Sequence, residues 1–292
     1  TKEAAAQSKT DLAYLQALVA RAKNRPYAVI DALQTLTAGE ASHPEAWRLL
    51  AEAYDRTDQT RRAVAALIQY LRAYPRDPDM TMQLARGYLK LRDWSRALET
   101  ARLAESLNPT EIVHKLLRIE ATIRTQVEQH PTIDRARLEA VSAELAQLRR
   151  DHPDRVDIRL LQATVANSLG QPEVAERELK SAIAECKEPL RAEMELVRHY
   201  YALQRVTDAL DACQAVCKRH PDVAETWLYL SALQVAKGDY TAARSCLTEG
   251  LDAVTNKWEK RAIAHRLALL ELVHGDRAAG IRLLSDLAAQ DS

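Results

Sequence analysis

The chain has 292 residues, 47% hydrophobic and 28% charged, a balance found in folded rather than disordered proteins. Its 41 basic side chains match 41 acidic ones, so no global field draws it to nucleic acid or to an anionic membrane surface. No apolar run approaches the ~20 residues that span a bilayer. Glycines number only seven, Ala, Leu, Arg, Glu and Gln dominate, and alternating Val/Ile/Thr runs are missing, so an all-α protein is expected. This length suits two globular domains or one repeat array. The opening Thr1-Lys2-Glu3-Ala4 has neither Met nor an apolar signal run and reads as the start of an excised domain or a processed chain.

In chain order, the first predicted helical hairpin, residues 11–44, is marked only by Ala32 and Pro44. In the second, 45–77, Trp47, Leu50, Ala51 and Tyr54 fall at i, i+3, i+4 and i+7, which is one face of a helix. Ala63, Leu67 and Pro75 follow them. The third, 78–111, repeats the second at a shift of 34: Leu84, Tyr88, Ala97 and Pro109 stand for Leu50, Tyr54, Ala63 and Pro75. The fourth, 112–155, is longer. The intervals Leu84 to Leu196, Ala97 to Ala175 and Pro109 to Pro153 each contain whole 34-residue periods and ten further residues. One ten-residue addition therefore lies between Pro109 and Pro153. It predicts two long helices, roughly 110–129 and 132–150, joined near Pro131 and projecting beyond their neighbours. The fifth to seventh hairpins, 156–189, 190–223 and 224–257, keep the period through Ala175, Ala209 and Ala243 and through Leu196 and Leu230. The eighth, 258–292, follows a three-residue insertion near Asn256. Its last helix, Asp276 to about Ala289, carries Ile281, Leu283, Leu284 and Leu287, and either closes the array or leaves it open for a further helix.

Turn chemistry agrees with hairpins. Gly238-Asp239 and Gly275-Asp276 offer a helix-ending Gly followed by an N-capping Asp. Asp77-Pro78 and Asn108-Pro109 place Pro at a first helical position behind a cap, and Ser42-His43-Pro44-Glu45 has the form of a capping box. Small residues recur where paired helices must cross closely: Ala51, Ala85, Ala163 and Ser231 on first helices, and Ala63, Ala97, Ala175, Ala209 and Ala243 on second helices.

Trp47, Leu50, Ala51, Tyr54, Ala63, Leu67 and Pro75 resemble the tetratricopeptide pattern W-x2-L-G-x2-Y, A-x3-F, P, with Ala for Gly and Leu for Phe. The resemblance covers essentially the whole chain. It implies one solenoid over 1–292, a right-handed superhelix of about eight hairpins in which neighbours complete each other's core. It also implies a concave groove lined by first-helix residues outside the core. In the N-terminal half these are Arg21, Arg48, Glu52, Arg56, Arg86, Lys90, Glu120 and Arg124. In the C-terminal half they are Leu160, Met194, Tyr201, Leu228, Tyr229, Val235, Leu269 and Leu272. The competing reading is that several of the apolar ones are covered by the next repeat. Some family members clamp a partner's C-terminal carboxylate with Lys and Asn on first helices. The matching positions here read Ala17 and Arg21, Arg48 and Glu52, and Met82 and Arg86, so that mode is not expected.

Cys213, Cys217 and His220 share a helix face at i, i+4 and i+7 and could ligate a metal. Yet Cys213 stands where sister repeats carry Leu67, Leu179 and Leu247, and His220 precedes Pro221 as His43 and His152 precede Pro, so core thiols and no metal are expected. Trp47, Trp94 and Trp227 read as packing residues, and Trp258 opens the last hairpin. No phosphate loop, nucleophile elbow or H-E-x-x-H appears. Arg61-Arg62 and Arg149-Arg150 are too sparse for a nucleic-acid footprint. The expectation is a scaffold or adaptor binding a protein or peptide partner, with no enzyme activity, cofactor, nucleic acid or membrane insertion of this segment, and an open oligomeric state. The alternative is the regulatory or substrate-presenting arm of a larger bacterial enzyme, such as a glycosyltransferase, or of an exopolysaccharide synthesis and export assembly. Four cysteines without disulfide spacing favour a reducing compartment slightly and leave the localisation open between cytoplasm and periplasm.

Overall fold

The computed structural model describes residues 2–37, 44–129 and 133–289. All regular structure among them is helical: α1 (Lys2–Ala22), α2 (Pro26–Thr37), α3 (Pro44–Arg56), α4 (Thr60–Ala73), α5 (Pro78–Lys90), α6 (Trp94–Leu107), α7 (Ile112–Gln129), α8 (Arg135–Asp151), α9 (Val156–Ser168), α10 (Pro172–Glu185), α11 (Leu190–Ala202), α12 (Val206–Arg219), α13 (Ala224–Lys237), α14 (Tyr240–Ala253), α15 (Lys257–His274) and α16 (Arg277–Ala289). The chain forms two compact units, residues 1–141 and 142–292, divided within α8. Within each unit every hairpin packs on the next, α2 on α3 and α4 on α5 in the first, α10 on α11, α12 on α13 and α14 on α15 in the second.

The packing follows from the small residues. Ala51, Ala85, Ala163 and Ser231 on first helices and Ala63, Ala97, Ala175, Ala209 and Ala243 on second helices are all buried. Gly250 extends the theme: a Cβ there would sit 2.8 Å from Cγ of Trp227, so the backbone of α14 lies flush on the indole. Caps also match the sequence. Asp77, Asp93 and Asp239 accept from Met80, Arg96 and Ala242 amides at 3.0, 3.2 and 2.9 Å. Two expectations need correction. Pro109 does not start a helix: Asn108 ends α6, its carbonyl accepts from the Glu111 amide, and α7 begins at Ile112. Gly275 has φ −142°, so no left-handed turn requires it; a Cβ there would instead collide with the Glu271–Arg244 ion pair. The capping box at Ser42 and His43 lies outside the described residues.

The ten-residue addition lengthens helices. α7 and α8 have 18 and 17 residues, against 13 and 14 for α5 and α6. Their joint at Pro131 lies outside the described residues.

The turn inside each hairpin keeps its own register. Asn24, Asp58 and Arg92, 34 residues apart, have φ of 56°, 57° and 58°; Gly170, Gln204 and Gly238, again 34 apart, have 73°, 60° and 84°. Each terminates a first helix in the left-handed conformation, where glycine costs nothing and a long side chain does. Arg92→Gly and Gln204→Gly are each expected to raise stability by about 0.5–1 kcal/mol. Matched thermal and urea unfolding curves check this; a loss of stability at both positions contradicts it.

The position of Trp47 and Trp227 is charged in two repeats. There Arg159 donates to Glu178 at 3.2 Å and to Glu185, and Glu193 accepts from Arg219 and lies 3.0 Å from His220 Nε2. Both are buried. These ion pairs run from first to second helix and replace an indole as the pin of the hairpin. Glu176 makes a similar joint. Lys180 at 2.7 Å, Arg205 at 2.7 Å and Tyr200 at 3.0 Å all donate to its carboxylate, and together they hold its pKa down to about 2.

Candidate functional site

A helix side chain recurs at the same place on the next hairpin after one period. The exposed side of the first helices can therefore be read as columns near their C-terminal ends. In unit 1 these columns are Leu18, Glu52, Arg86, Glu120; Arg21, Asp55, Leu89, Ile123; and Ala22, Arg56, Lys90, Arg124, of which Leu18 and Leu89 pack on the core and Ile123 is buried. Eight of the twelve are charged. Neighbouring helices are laced by them. Arg21 pairs with Glu52 at 2.9 Å and Lys90 with Asp55 at 2.6 Å, while Arg56 donates to the Asn24 side chain. Arg48 turns back to Glu45 on its own helix at 2.7 Å. Arg86 and Arg124 are exposed, and no ion pair to them forms among the described residues. Lys90, Arg92, Trp94, Glu120, Arg124 and Glu128 enclose a cleft of about 330 Å³.

The same columns in unit 2 read Thr164, Arg198, Ala232, Leu269; Asn167, Tyr201, Val235, Leu272; and Ser168, Ala202, Ala236, Val273. Arg198 is the one charge. It is already occupied, pairing with Glu195 at 2.9 Å and Glu225 at 3.3 Å and lying 5.8 Å from the Tyr229 ring centre. Around it the surface is apolar: Tyr201 is 38%, Leu269 39% and Val273 70% exposed, with Ala202, Ala232 and Ala236 exposed between them. No other large apolar side chains on the described helices of this unit are as open, apart from Trp258 and Ile281.

The sequence-derived groove residues therefore separate. Arg21, Arg48, Glu52, Arg86, Lys90 and Arg124 lie on the polar first-helix side of unit 1, and Tyr201 lies on the apolar side of unit 2. Leu160 and Met194 do not line any surface: they are 7% and 4% exposed and belong to the core of unit 2. Leu228, Tyr229 and Val235 are half-buried against that core. Ala202, Ala236 and Val273 were not singled out by sequence reasoning. Their signal was present, since Ala202 and Ala236 are 34 apart and Val273 follows after the period and the three-residue insertion.

Cys213, Cys217 and Cys246 are buried in the core of unit 2. Hydrogen bonding to Cys217 and burial push the Cys213 thiol up and burial pushes Cys246 up to about 12, so both favour the protonated form, while the hydrogen bond with Cys213 draws Cys217 down. His220 is directed to Glu193 rather than to the sulfurs. Among the described residues no three His, Cys, Asp or Glu side chains are placed to hold a metal ion, and no helix is long and apolar enough to cross a membrane. Trp227 is a core residue and Trp47 packs on the core of unit 1. Trp94 is only half-buried and walls the 330 Å³ cleft, a departure from pure packing.

Comparison with known proteins places these features. Two family profiles, both described as tetratricopeptide repeat, match residues 44–87 and 194–256. No curated protein matches the chain in sequence. Among solved structures, a tetratricopeptide repeat protein from Parabacteroides merdae aligns with TM-score 0.63 at 15% identity, over 90% of this chain and 99% of its own. A thermophilic tetratricopeptide protein of Thermus thermophilus aligns with TM-score 0.57 at 21% identity, over 66% of this chain and all of its own. The human IFIT1 dimer with m7Gppp-AAAA aligns with TM-score 0.52 at 13% identity, over 94% of this chain and 67% of its own. With a 34-residue register, sixteen helices among the described residues and a family match in each unit, the chain carries tetratricopeptide repeats in both units.

Proposed function

We propose that the chain is a non-enzymatic scaffold that binds a partner protein or peptide on its first-helix surfaces, with the apolar columns of unit 2 as the main contact. The observation that carries this reading is the contrast between the columns: eight charges in unit 1 against one, already paired, in unit 2. Solvent-exposed Tyr201, Leu269 and Val273 interleaved with alanines form a contiguous apolar strip, and such strips on soluble proteins mark interaction sites. The alanines let a partner backbone approach closely, while Tyr201 supplies a rigid aromatic anchor. The columns of unit 1 suit orientation and encounter rather than affinity, because exposed charges mainly steer association.

Once a partner is isolated, Tyr201→Ala and Val273→Ala are each expected to weaken its binding by about 1–3 kcal/mol with helicity unchanged. Reversing Arg86 and Arg124 should mainly slow association, by a factor that shrinks with added salt. Titration calorimetry and stopped-flow kinetics on these variants read both effects. Full affinity in all four, with folding intact, removes these columns from the binding site. Loss of binding confined to the arginine reversals, with nucleic acid as the captured molecule, would point to a polyanion reader instead.

A further inference from the structure

α15 has 18 residues, against 13, 13 and 14 for α9, α11 and α13, the other first helices of unit 2. Ala224, which starts α13, corresponds to Arg261, so residues 257–260 are an added turn, and the three-residue insertion supplies most of it. Asn256 caps that turn, its side chain accepting from the Trp258 and Glu259 amides at 2.9 and 3.3 Å. The added turn carries Trp258, 74% exposed. Trp258, Ala262, His265, Leu269 and Val273 are spaced four, three, four and four residues apart, so they form one row along the helix, about 22 Å long. All five are exposed. One period and the insertion earlier stand Pro221, Glu225, Leu228, Ala232 and Ala236. All but half-buried Leu228 are exposed, although α15 packs beside α13. The row is therefore not the side that a neighbouring hairpin covers.

We propose that this row docks one acidic amphipathic helix of a partner protein, laid along α15. The proposal rests on the first helices of unit 2 being the binding surface, and it names what binds there. Three observations select the occupant. Ala262, Leu269 and Val273 offer no side-chain hydrogen-bonding group, and the α15 backbone bonds within its own helix. An extended peptide would strand main-chain N–H and C=O groups against such a row, whereas a helix satisfies its own. Ala262 leaves a notch between Trp258 and His265 for a large side chain of the partner, as interlocking helix ridges require. The charges bordering the row are positive. At ~100° per residue, Lys257 and Arg266 fall on opposite flanks; both are exposed, and no ion pair to either forms among the described residues. The carboxylates near them are committed: Glu259 accepts from the Ala224 amide at 3.1 Å, Glu271 is buried on Arg244, and Glu225 pairs with Arg198. A partner helix with an apolar row and Asp or Glu on both flanks complements this surface in shape and in charge.

Fluorescence anisotropy of a labelled helical probe peptide tests the proposal. The probe matches the 18 residues of α15, with Leu in a row at every third or fourth position and Glu on both flanks. A second probe carries Lys in place of Glu. The Glu probe is expected to bind the 292-residue chain about tenfold or more tightly than the Lys probe. Trp258→Ala should weaken it about tenfold or more with helicity unchanged. Lys257→Glu combined with Arg266→Glu should reverse the preference between the probes. No binding of the Glu probe up to about 500 µM, equal binding of both probes, or binding indifferent to Trp258→Ala each overturns the proposal. Tighter binding to phosphatidylserine vesicles than to the Glu probe assigns the row to a membrane and also overturns it. Probe binding lost in Tyr201→Ala but kept in Trp258→Ala removes the α15 site and leaves unit 2 as the binding surface; native partner adducts confined to second helices remove that surface itself.

Discussion

Replacing Arg219 and His220 together by Ala is expected to cost about 3–5 kcal/mol of stability, because it strands a buried charge. The Glu193 side chain is 1% exposed, and its two carboxylate oxygens are taken by the Arg219 guanidinium and, at 3.0 Å, by His220 Nε2. Both partners are themselves partly exposed, so they can be deleted without opening a large cavity. What remains is a carboxylate held inside the α11–α12 hairpin with nothing to compensate it. The single variants should cost much less, since each leaves one partner. Glu193→Trp restores the residue of Trp47 and Trp227 and is expected to stay within about 2 kcal/mol of the parent, as replacing a buried ion pair by apolar packing often does. Urea unfolding followed by circular dichroism measures all of these; a double variant with the parent's midpoint contradicts the assignment of Glu193 as a buried pinned charge.

Trp227→Ala is expected to cost about 3–5 kcal/mol, the range for deleting a large buried aromatic side chain. The indole is 7% exposed, donates from Nε1 to the Pro221 carbonyl at 2.9 Å, and fills the space left by Gly250 on α14. Removal leaves a cavity and an unpaired carbonyl, and the glycine cannot move in to fill it. Trp258 offers the internal control. It is 74% exposed at the start of α15, and Trp258→Ala should change stability by no more than about 0.5 kcal/mol. Equal losses at the two positions would mean that the hairpin register assigned to the last repeats is wrong.

The hairpins were legible because stacking favours a small residue at the helix crossings, and that preference recurs at a 34-residue spacing as Ala63 and Ala97 and, beyond the ten-residue addition, as Ala175, Ala209 and Ala243. The turns were only half legible. Gly170 and Gly238 announce a left-handed residue, whereas Arg92 and Gln204 adopt the same conformation with no glycine to mark it. The candidate site shows the same division. Column positions can be counted from the sequence, but burial within a column depends on the side chain. At one position Arg48 pairs with Glu45 and stays partly exposed, while Leu160 and Met194 are buried in the core of unit 2, since only the charged side chain must keep its end in water. The ion pairs of Arg159 and Glu193 were invisible for another reason. Their partners, Glu178, Glu185, Arg219 and His220, come from the following helix, and no local pattern links them.

Site-specific photo-crosslinking in the native cell addresses the binding surface directly. A photoreactive residue would replace Tyr201, Ala236 or Val273 on the apolar columns of unit 2 and, as controls, exposed Arg177 on α10 or Gln214 on α12. A scaffold that binds through its first helices should yield the same protein adduct from all three column positions and none from the two controls. Adducts from positions 177 and 214 with silence at 201, 236 and 273 would contradict it and move recognition to the second-helix side.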